Sequence, residues 1–268
     1  MPDHFNMPDH FKKNALVTGA CGFMGSHMVD FLISRGWRVK ATDLKTADRK
    51  YLNKAAEFIP ADITQKETLI PLLKDVEIVF HLAALFKFSA PWELLYKVNV
   101  QGTENLCEIA LNSGIKQMIV WGSQSSYGKT GNRAVGENTP LNPTGRYEKS
   151  KALEEETALR FYKEKDLPVT VLRPASVYGP RSRYGISLLI FMMAKGQLFA
   201  IPGKKSSRCS LVHVWDVVGA AEFLSGKREA IGESYNICDD SGSSYTKEEL
   251  LLYISGLLHK KIMSFAIP

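Results

Sequence analysis

The run Tyr147-Glu148-Lys149-Ser150-Lys151 sets a phenol and an ammonium four residues apart, which puts both on one face of a helix. An ammonium beside a phenol stabilises the phenolate, and so lowers a tyrosine pKa that stands at about 10 when unperturbed. Proton transfer near neutral pH then becomes feasible. The pair alone is weak evidence, because the same spacing occurs by chance on solvated helix faces. A scaffold that presents both groups to a ligand would make it specific.

Such a scaffold is written near the N-terminus. Thr18-Gly19-Ala20-Cys21-Gly22-Phe23-Met24-Gly25 follows the apolar run Ala15 to Thr18 and precedes Met24, Met28, Val29, Leu32 and Ile33 at helical spacing. This reads as strand, turn and helix. Backbone can approach a phosphate closely where side chains are missing, and the positive end of the following helix favours an anion such as a cofactor pyrophosphate. The glycine spacing differs from the commoner G-x-G-x-x-G fingerprint, although the strand-to-helix context is the one that fingerprint requires. The competing reading is a glycine turn that serves only helix packing. Asp43 ends the second expected strand, Trp37 to Thr42, where an acidic side chain can hydrogen-bond adenosine ribose hydroxyls. It would repel the extra phosphate of NADP, which points to NAD. Lys45 and Arg49 nearby are basic groups able to accept that phosphate, so NADP is the less favoured alternative.

Further strands are expected at Val76 to Leu82, Gln117 to Trp121 and Val169 to Leu172, with Pro174 ending the last because it has no amide hydrogen to donate. Helices are expected between them. One is Leu94 to Leu111, with Leu94, Leu95, Val98, Leu106, Ile109 and Ala110 on one buried stripe, and another is Tyr147 to Lys165. Alternation of this kind implies an α/β fold, a Rossmann-like doubly wound parallel sheet. From Gly179 onward no strand–helix repeat of the earlier length is evident. The expected division is a flexible leader at 1–13, a dinucleotide-binding domain with the catalytic residues at 14–178, and mainly a small substrate-binding lobe at 179–268, some of whose segments return to the first domain.

Composition narrows the function classes. With 45% hydrophobic and 23% charged residues the chain can bury a sizeable core and is not a disordered or disulfide-held scaffold. Cys21, Cys107, Cys209 and Cys238 are far apart with no Cys-x-x-Cys pair, so neither a zinc site nor a disulfide framework is expected, and a reducing cytoplasm is the default location. The N-terminus, where MPDHF occurs twice, is polar and lacks the form of a signal peptide, and no run is long enough to span a membrane. The net charge of +6 is spread out, and no aromatic-interleaved basic motif points to nucleic acid. His81, beside Phe80, Leu82 and Ala83, reads as a hydrogen-bonded core histidine, as does His213; no histidine–carboxylate cluster suggests a metal.

TGACGFMG, Asp43, HLAA from His81 to Ala84, Asn99, Ser123, YEKSK and RPASVYGP from Arg173 to Pro180 together resemble the extended short-chain dehydrogenase/reductase family, of the NAD-dependent epimerase/dehydratase type. The resemblance runs from Ala15 to about Leu258. It implies that Tyr147 is the acid/base, that Lys151 binds the nicotinamide ribose and lowers the tyrosine pKa, and that Ser123 polarises the reacting oxygen, with Ser125 as the alternative in register. It further implies cofactor contacts from Gly19, Gly22, Phe23, Met24, Gly25, Asp43, Asp62, Ile63, Leu82, Ala83, Ala84, Asn99, Pro174 and Val177, with Asn99 in a supporting role. Substrate contacts fall to Ser125, Ser176 and Arg208. A homodimer through the two long helices is implied too, and a C-terminal lobe that is small or truncated beside the family's usual length.

Dehydratases of this family carry an Asp-Glu pair where this chain has Gln124 and Ser125, so water elimination would lack its acid and base. Hydride transfer needs only the residues present. Arg181, Arg183, Lys195, Lys204, Lys205 and Arg208, with no acidic residue from Arg181 to Trp215, suit an anionic small-molecule substrate such as a nucleotide sugar. Ser176, where many epimerases have an asparagine, and the apolar run Leu188 to Ala194 suit instead a hydrophobic alcohol or ketone, as in the 3β-hydroxysteroid dehydrogenase and dihydroflavonol reductase branches. A non-catalytic NAD(P)-binding sensor or scaffold is the reading from another class.

Overall fold

The computed structural model describes residues 13–131, 133–198, 200–201, 208–239, 245–261 and 263–264. The leader expected at 1–13 lies outside them except for Lys13, and so do Lys204 and Lys205.

Strand β1 (Asn14–Thr18) runs through the glycine turn into α1 (Phe23–Ser34), and β2 (Arg38–Thr42) and the short β3 (Glu57–Phe58) follow. Next come β4 (Ile78–His81), α2 (Trp92–Leu95), a π-helical turn (Tyr96–Gln101) and α3 (Gly102–Ala110). Then β5 (Gln117–Trp121), α4 (Arg146–Lys165) and β6 (Val169–Pro174) complete the regular part. The later segments are β7 (Ser176–Tyr178), α5 (Gly185–Ala194), β8 (Ala200–Ile201), β9 (Arg208–Cys209), β10 (Leu211–His213), α6 (Val214–Leu224), β11 (Ser234–Ile237), β12 (Tyr245–Thr246), α7 (Lys247–Leu257) and β13 (Met263–Ser264).

Seven strands form one parallel sheet in the order β11-β6-β5-β4-β1-β2-β3. Its middle strands are buried on both faces, which is why they read as continuous apolar runs and not as alternations. Successive residues still face opposite layers: Leu16 packs in a core with Leu106, Ala158 and Phe161, whereas Ala15 and Val17 pack in a second core with Met28, Leu32 and Val217. Connections leave β1 in opposite directions, toward β2 on one side and β4 on the other, and a crevice opens at that point of reversal. The fold is therefore the Rossmann-like doubly wound sheet that the alternation of elements implies.

Two elements differ from the sequence expectation. The helix expected at Leu94 to Leu111 starts at Trp92 and is interrupted by the π-helical turn, whose extra residue rotates the buried stripe. Leu94 is consequently 45% exposed, while Leu95 and Asn99 are fully buried. After Gly179 the strand–helix rhythm does return: β10 leads into α6, which packs on α1, and β11 extends the main sheet beside β6. That strand carries little signal in the sequence, because Ser234-Tyr235-Asn236-Ile237 is a half-buried edge with only two apolar residues. A smaller core of Ile186, Met193 and Leu251 holds α5 and α7 together, and Leu188 and Phe191 on α5 stay exposed.

Glycine is required twice at the first turn. Gly19 has φ +65°, and a Cβ there would stand 2.8 Å from the Ala83 backbone; at Gly25 it would stand 2.0 Å from the Gly19 carbonyl oxygen. The turn, α1 and the segment after β4 are thus closed on one another at backbone contact.

Candidate functional site

The chain's buried polar residues form a sequence of hydrogen bonds across the crevice. Thr18, last in β1, pairs through Oγ1 with His81 Nδ1 at 2.8 Å, and His81 Nε2 pairs with Thr103 Oγ1 at 2.8 Å. Thr103 Oγ1 donates its one hydrogen to the Asn99 carbonyl at 2.7 Å, so toward His81 it can only accept. Nε2 therefore carries the imidazole hydrogen, Nδ1 is bare, and Thr18 donates to it. Thr18 Oγ1 in turn accepts from the amides of Leu82 and Ala83. Every proton in this chain has a fixed direction. Complete burial, with the Lys151 charge adding to it, pushes His81 down to about 3, so the ring is neutral.

Asn99 continues the network from the π-helical turn. Its Oδ1 accepts from the Leu85 amide at 2.7 Å, and its Nδ2 donates to Ser150 Oγ at 2.9 Å, which donates to the Tyr147 carbonyl at 2.7 Å. The turn before Leu85 and the helix bearing Tyr147 are thereby tied together.

A cavity of about 1070 Å³ opens beside this network. Every site residue named from the sequence lines it except Asn99, which is wholly buried and has its amide committed to Leu85 and Ser150. At one end Gly19, Gly22, Phe23, Met24 and Gly25 present the start of α1, whose N-cap Gly22 supplies no side-chain cap and whose first turn holds no acidic residue. Its free amides suit an anion. Asp43 stands next to them: Oδ2 accepts from the Cys21 amide at 2.9 Å and Oδ1 from the Leu44 amide at 2.8 Å, which aims the carboxylate and leaves further lone pairs for a ligand. Burial, then Asp43, push the Cys21 thiol up to about 11, which makes it a poor nucleophile. Asp62 is braced by the amide and hydroxyl of Thr64, and Ile63 reaches Gly102, where any larger residue would collide with it.

At the other end Ser123 caps the 3₁₀ turn Gln124–Tyr127; its Oγ lies 2.8 Å from Ser125 Oγ and accepts from the Ser125 amide, so the two hydroxyls form one unit. Behind this turn Arg173 binds Glu155 and donates to Tyr127 Oη at 2.6 Å and the Glu137 carbonyl at 2.9 Å. Arg173 opens the RPASVYGP motif, whereas its partners Tyr127, Glu137 and Glu155 carry no local motif of their own.

Tyr147 and Lys151 both line the cavity, but their relation differs from the one expected. Lys151 is 3% exposed, and its Nζ donates to the Trp121 carbonyl at 2.5 Å and to Glu154 Oε2 at 2.6 Å. Burial pushes the Tyr147 phenol above its ordinary range, and Glu154, Tyr184 and Glu148 push the same way. The Lys151 ammonium, expected to act on the phenol, is itself met by Glu154. Around the phenol stand Phe86 and Phe88, with ring centroids 5.1 and 4.9 Å from Tyr147, and Tyr184 lies 4.8 Å from Phe86. Ser176, Lys97 and Arg208 add polar groups to the cavity lining. His213, by contrast, caps α6 by accepting from the Trp215 amide. No described helix is long and apolar enough to cross a membrane.

Comparison with known proteins agrees with this geometry. A model of the NAD dependent epimerase/dehydratase family matches residues 15–238. The sterol-4-alpha-carboxylate 3-dehydrogenase (decarboxylating) of Bos taurus is 31% identical over 236 residues, covering 85% of this chain and 65% of that protein. The putative UDP-glucose 4-epimerase of Methanocaldococcus jannaschii is 35% identical over 244 residues, covering 83% of this chain and 80% of that protein. The dTDP-glucose 4,6-dehydratase DesIV of Streptomyces venezuelae, solved with NAD bound, superposes with a TM-score of 0.85 at 25% identity, covering 95% of this chain and 85% of that one. The chain spans less than two thirds of the length of the sterol dehydrogenases it matches.

The buried imidazole gives a pH signature. Its folded pKa of about 3 lies below the ordinary 6.5, so between these values the unfolded chain binds a proton that the folded chain does not. Its contribution to stability is complete above 6.5 and is lost as pH falls. In urea denaturation, the deficit of His81→Gln relative to the parent should shrink by about 1.4 kcal/mol per pH unit below that value. A deficit independent of pH would contradict a neutral His81.

Proposed function

Because the chain belongs to the NAD dependent epimerase/dehydratase family, we propose that it is an NAD-dependent oxidoreductase that acts by hydride transfer at a hydroxyl- or keto-bearing carbon. The observation that carries this reading is the opening of an uncapped helix start, an anchored carboxylate and the Ser123–Tyr147–Lys151 group onto one cavity. At its volume the cavity exceeds what a drug-sized ligand alone requires, which suits a dinucleotide with a substrate beside it.

The residues fit the cofactor. Gly19, Gly22, Phe23, Met24 and Gly25 would hold the pyrophosphate at the uncapped start of α1. Asp43 would take the adenosine ribose hydroxyls, Asp62 and Ile63 the adenine, and Leu82, Ala83, Ala84, Pro174 and Val177 the remaining length. NAD is favoured over NADP: Asp43 faces the cavity, Lys45 and Arg49 do not line it, and Arg49 lies 4.9 Å over the Phe58 ring. When bound, NAD supplies the hydride acceptor.

The chain's own residues handle the proton. Ser123 would donate a hydrogen bond to the substrate oxygen, with Ser125 holding the hydroxyl in place. Tyr147 Oη would take the hydroxyl proton as the phenolate during oxidation and return it as the phenol during reduction. Lys151, with two of its three N–H groups held by Trp121 and Glu154, keeps one for the nicotinamide ribose.

For the substrate, Arg208 and Lys97 at the cavity wall favour an anionic molecule, a nucleotide sugar, which fits the UDP-glucose 4-epimerase relative. Phe86, Phe88 and Tyr184 support the second reading, a hydrophobic alcohol or ketone seated on aromatic rings, and this fits the sterol dehydrogenase relative. A homodimer would use the face of α3 and α4, which the Arg160–Glu104 ion pair joins.

Turnover should be assayed with NAD against UDP-sugars and against sterol alcohols. With whichever is accepted, Tyr147→Phe should keep cofactor affinity and lose about 10²-fold or more in turnover; full activity of that variant refutes the assignment. Asp43→Ala should weaken NAD more than NADP in a binding titration, and the reverse order would reassign the cofactor.

A further inference from the structure

The reaction proposed above has no step for Glu154, yet this carboxyl is built into the site. Tyr147, Lys151 and Glu154 follow at i, i+4 and i+7, which brings all three to one face of α4. The Glu154 side chain is 1% exposed. Its Oε2 accepts from Lys151 Nζ, while its Oε1 accepts no hydrogen bond from any described residue. A buried carboxylate with one bare oxygen is costly, and the fold does not need it to anchor the helix. The neighbouring Glu155 already joins α4 to β6 through Arg173.

We propose that Glu154 is a positioning residue that acts through Lys151: it holds the ammonium against the end of β5 and sets how much of its positive potential reaches the Tyr147 phenol. This rests on the reading of Tyr147 as the acid/base. With Glu154 charged, the ion pair offsets the lysine and the phenol keeps its proton. With Glu154 protonated or removed, Lys151 acts on the phenol unopposed, and its ionisation moves to lower pH.

The titratable and charged groups around Glu154 are Lys151, Glu155 and Tyr147 on α4 and Cys107 on α3, while His81 on β4 senses Lys151 and Arg173 on β6 is taken by Glu155. Burial pushes the Cys107 thiol and the Tyr147 phenol up and the His81 imidazole down to about 3. Burial, only partly opposed by Lys151, raises Glu154 to about 7, so its charge changes near neutrality.

Carbon-13 NMR of the chain labelled at the tyrosine ring ζ-carbon tests this, with Tyr147 assigned by the resonance lost in Tyr147→Phe. The Tyr147 signal should show a step near pH 7 in the parent and none in Glu154→Gln. The pH profile of turnover of Glu154→Gln should also move about one unit lower. A parent signal flat between about pH 5.5 and pH 8.5, or a step that persists in Glu154→Gln, overturns the proposal. If Glu154→Gln does not fold, the parent signal alone decides. A flat signal together with an inactive Tyr147→Phe would sink this inference and leave the acid/base reading standing.

Discussion

The crevice depends on a neutral imidazole held between two hydroxyls. His81 sits where β4 ends, and its two ring nitrogens connect Thr18 of β1 to Thr103 of α3 through hydrogen bonds of fixed direction. Because Thr18 also receives the Leu82 and Ala83 amides, the glycine turn and the ledge after β4 cannot move independently. Protonating the ring would turn Nδ1 into a donor facing the Thr18 hydroxyl that now donates to it, in a place where burial already opposes the charge.

The rest of the site hangs from this anchor. Gly19 fits under Ala83 only because it lacks a Cβ, so the anchor fixes where the start of α1 and its amides stand. On the other side, Asn99 reaches from the π-helical turn to Leu85 and Ser150, which places the first turn of α4 and therefore Tyr147. One irregular helical turn and one buried histidine thus relate the two ends of a long cavity. Lys151 answers to a separate constraint, the buried Glu154.

Much of this was legible in the sequence, and the reason differs by part. The parallel sheet showed in the alternation of apolar runs and helical stripes, since strands buried on both faces are mostly apolar. The glycine turn, Asp43 and the Tyr147–Lys151 pair stood at spacings with chemical meaning, the other candidates came from the family resemblance, and all but Asn99 line the cavity. The hydrogen-bond chain did not show, because Thr18, His81, Thr103 and Ser150 lie far apart and only the sheet brings them together. The π-helical turn was hidden as well: a periodicity of 3.6 has no way to signal an extra residue, and Leu94 was placed on the wrong face. Glu154 was hidden by its type, since a glutamate between Leu153 and Glu155 reads as solvated helix surface until burial is seen.

The central claim is most directly tested by nitrogen-15 NMR of the His81 ring across a pH series. The structure requires a neutral ring with the hydrogen on Nε2, unchanged from alkaline pH down to about pH 5. A hydrogen on Nδ1, or a ring that takes a second proton near its ordinary pKa of 6.5, would contradict it.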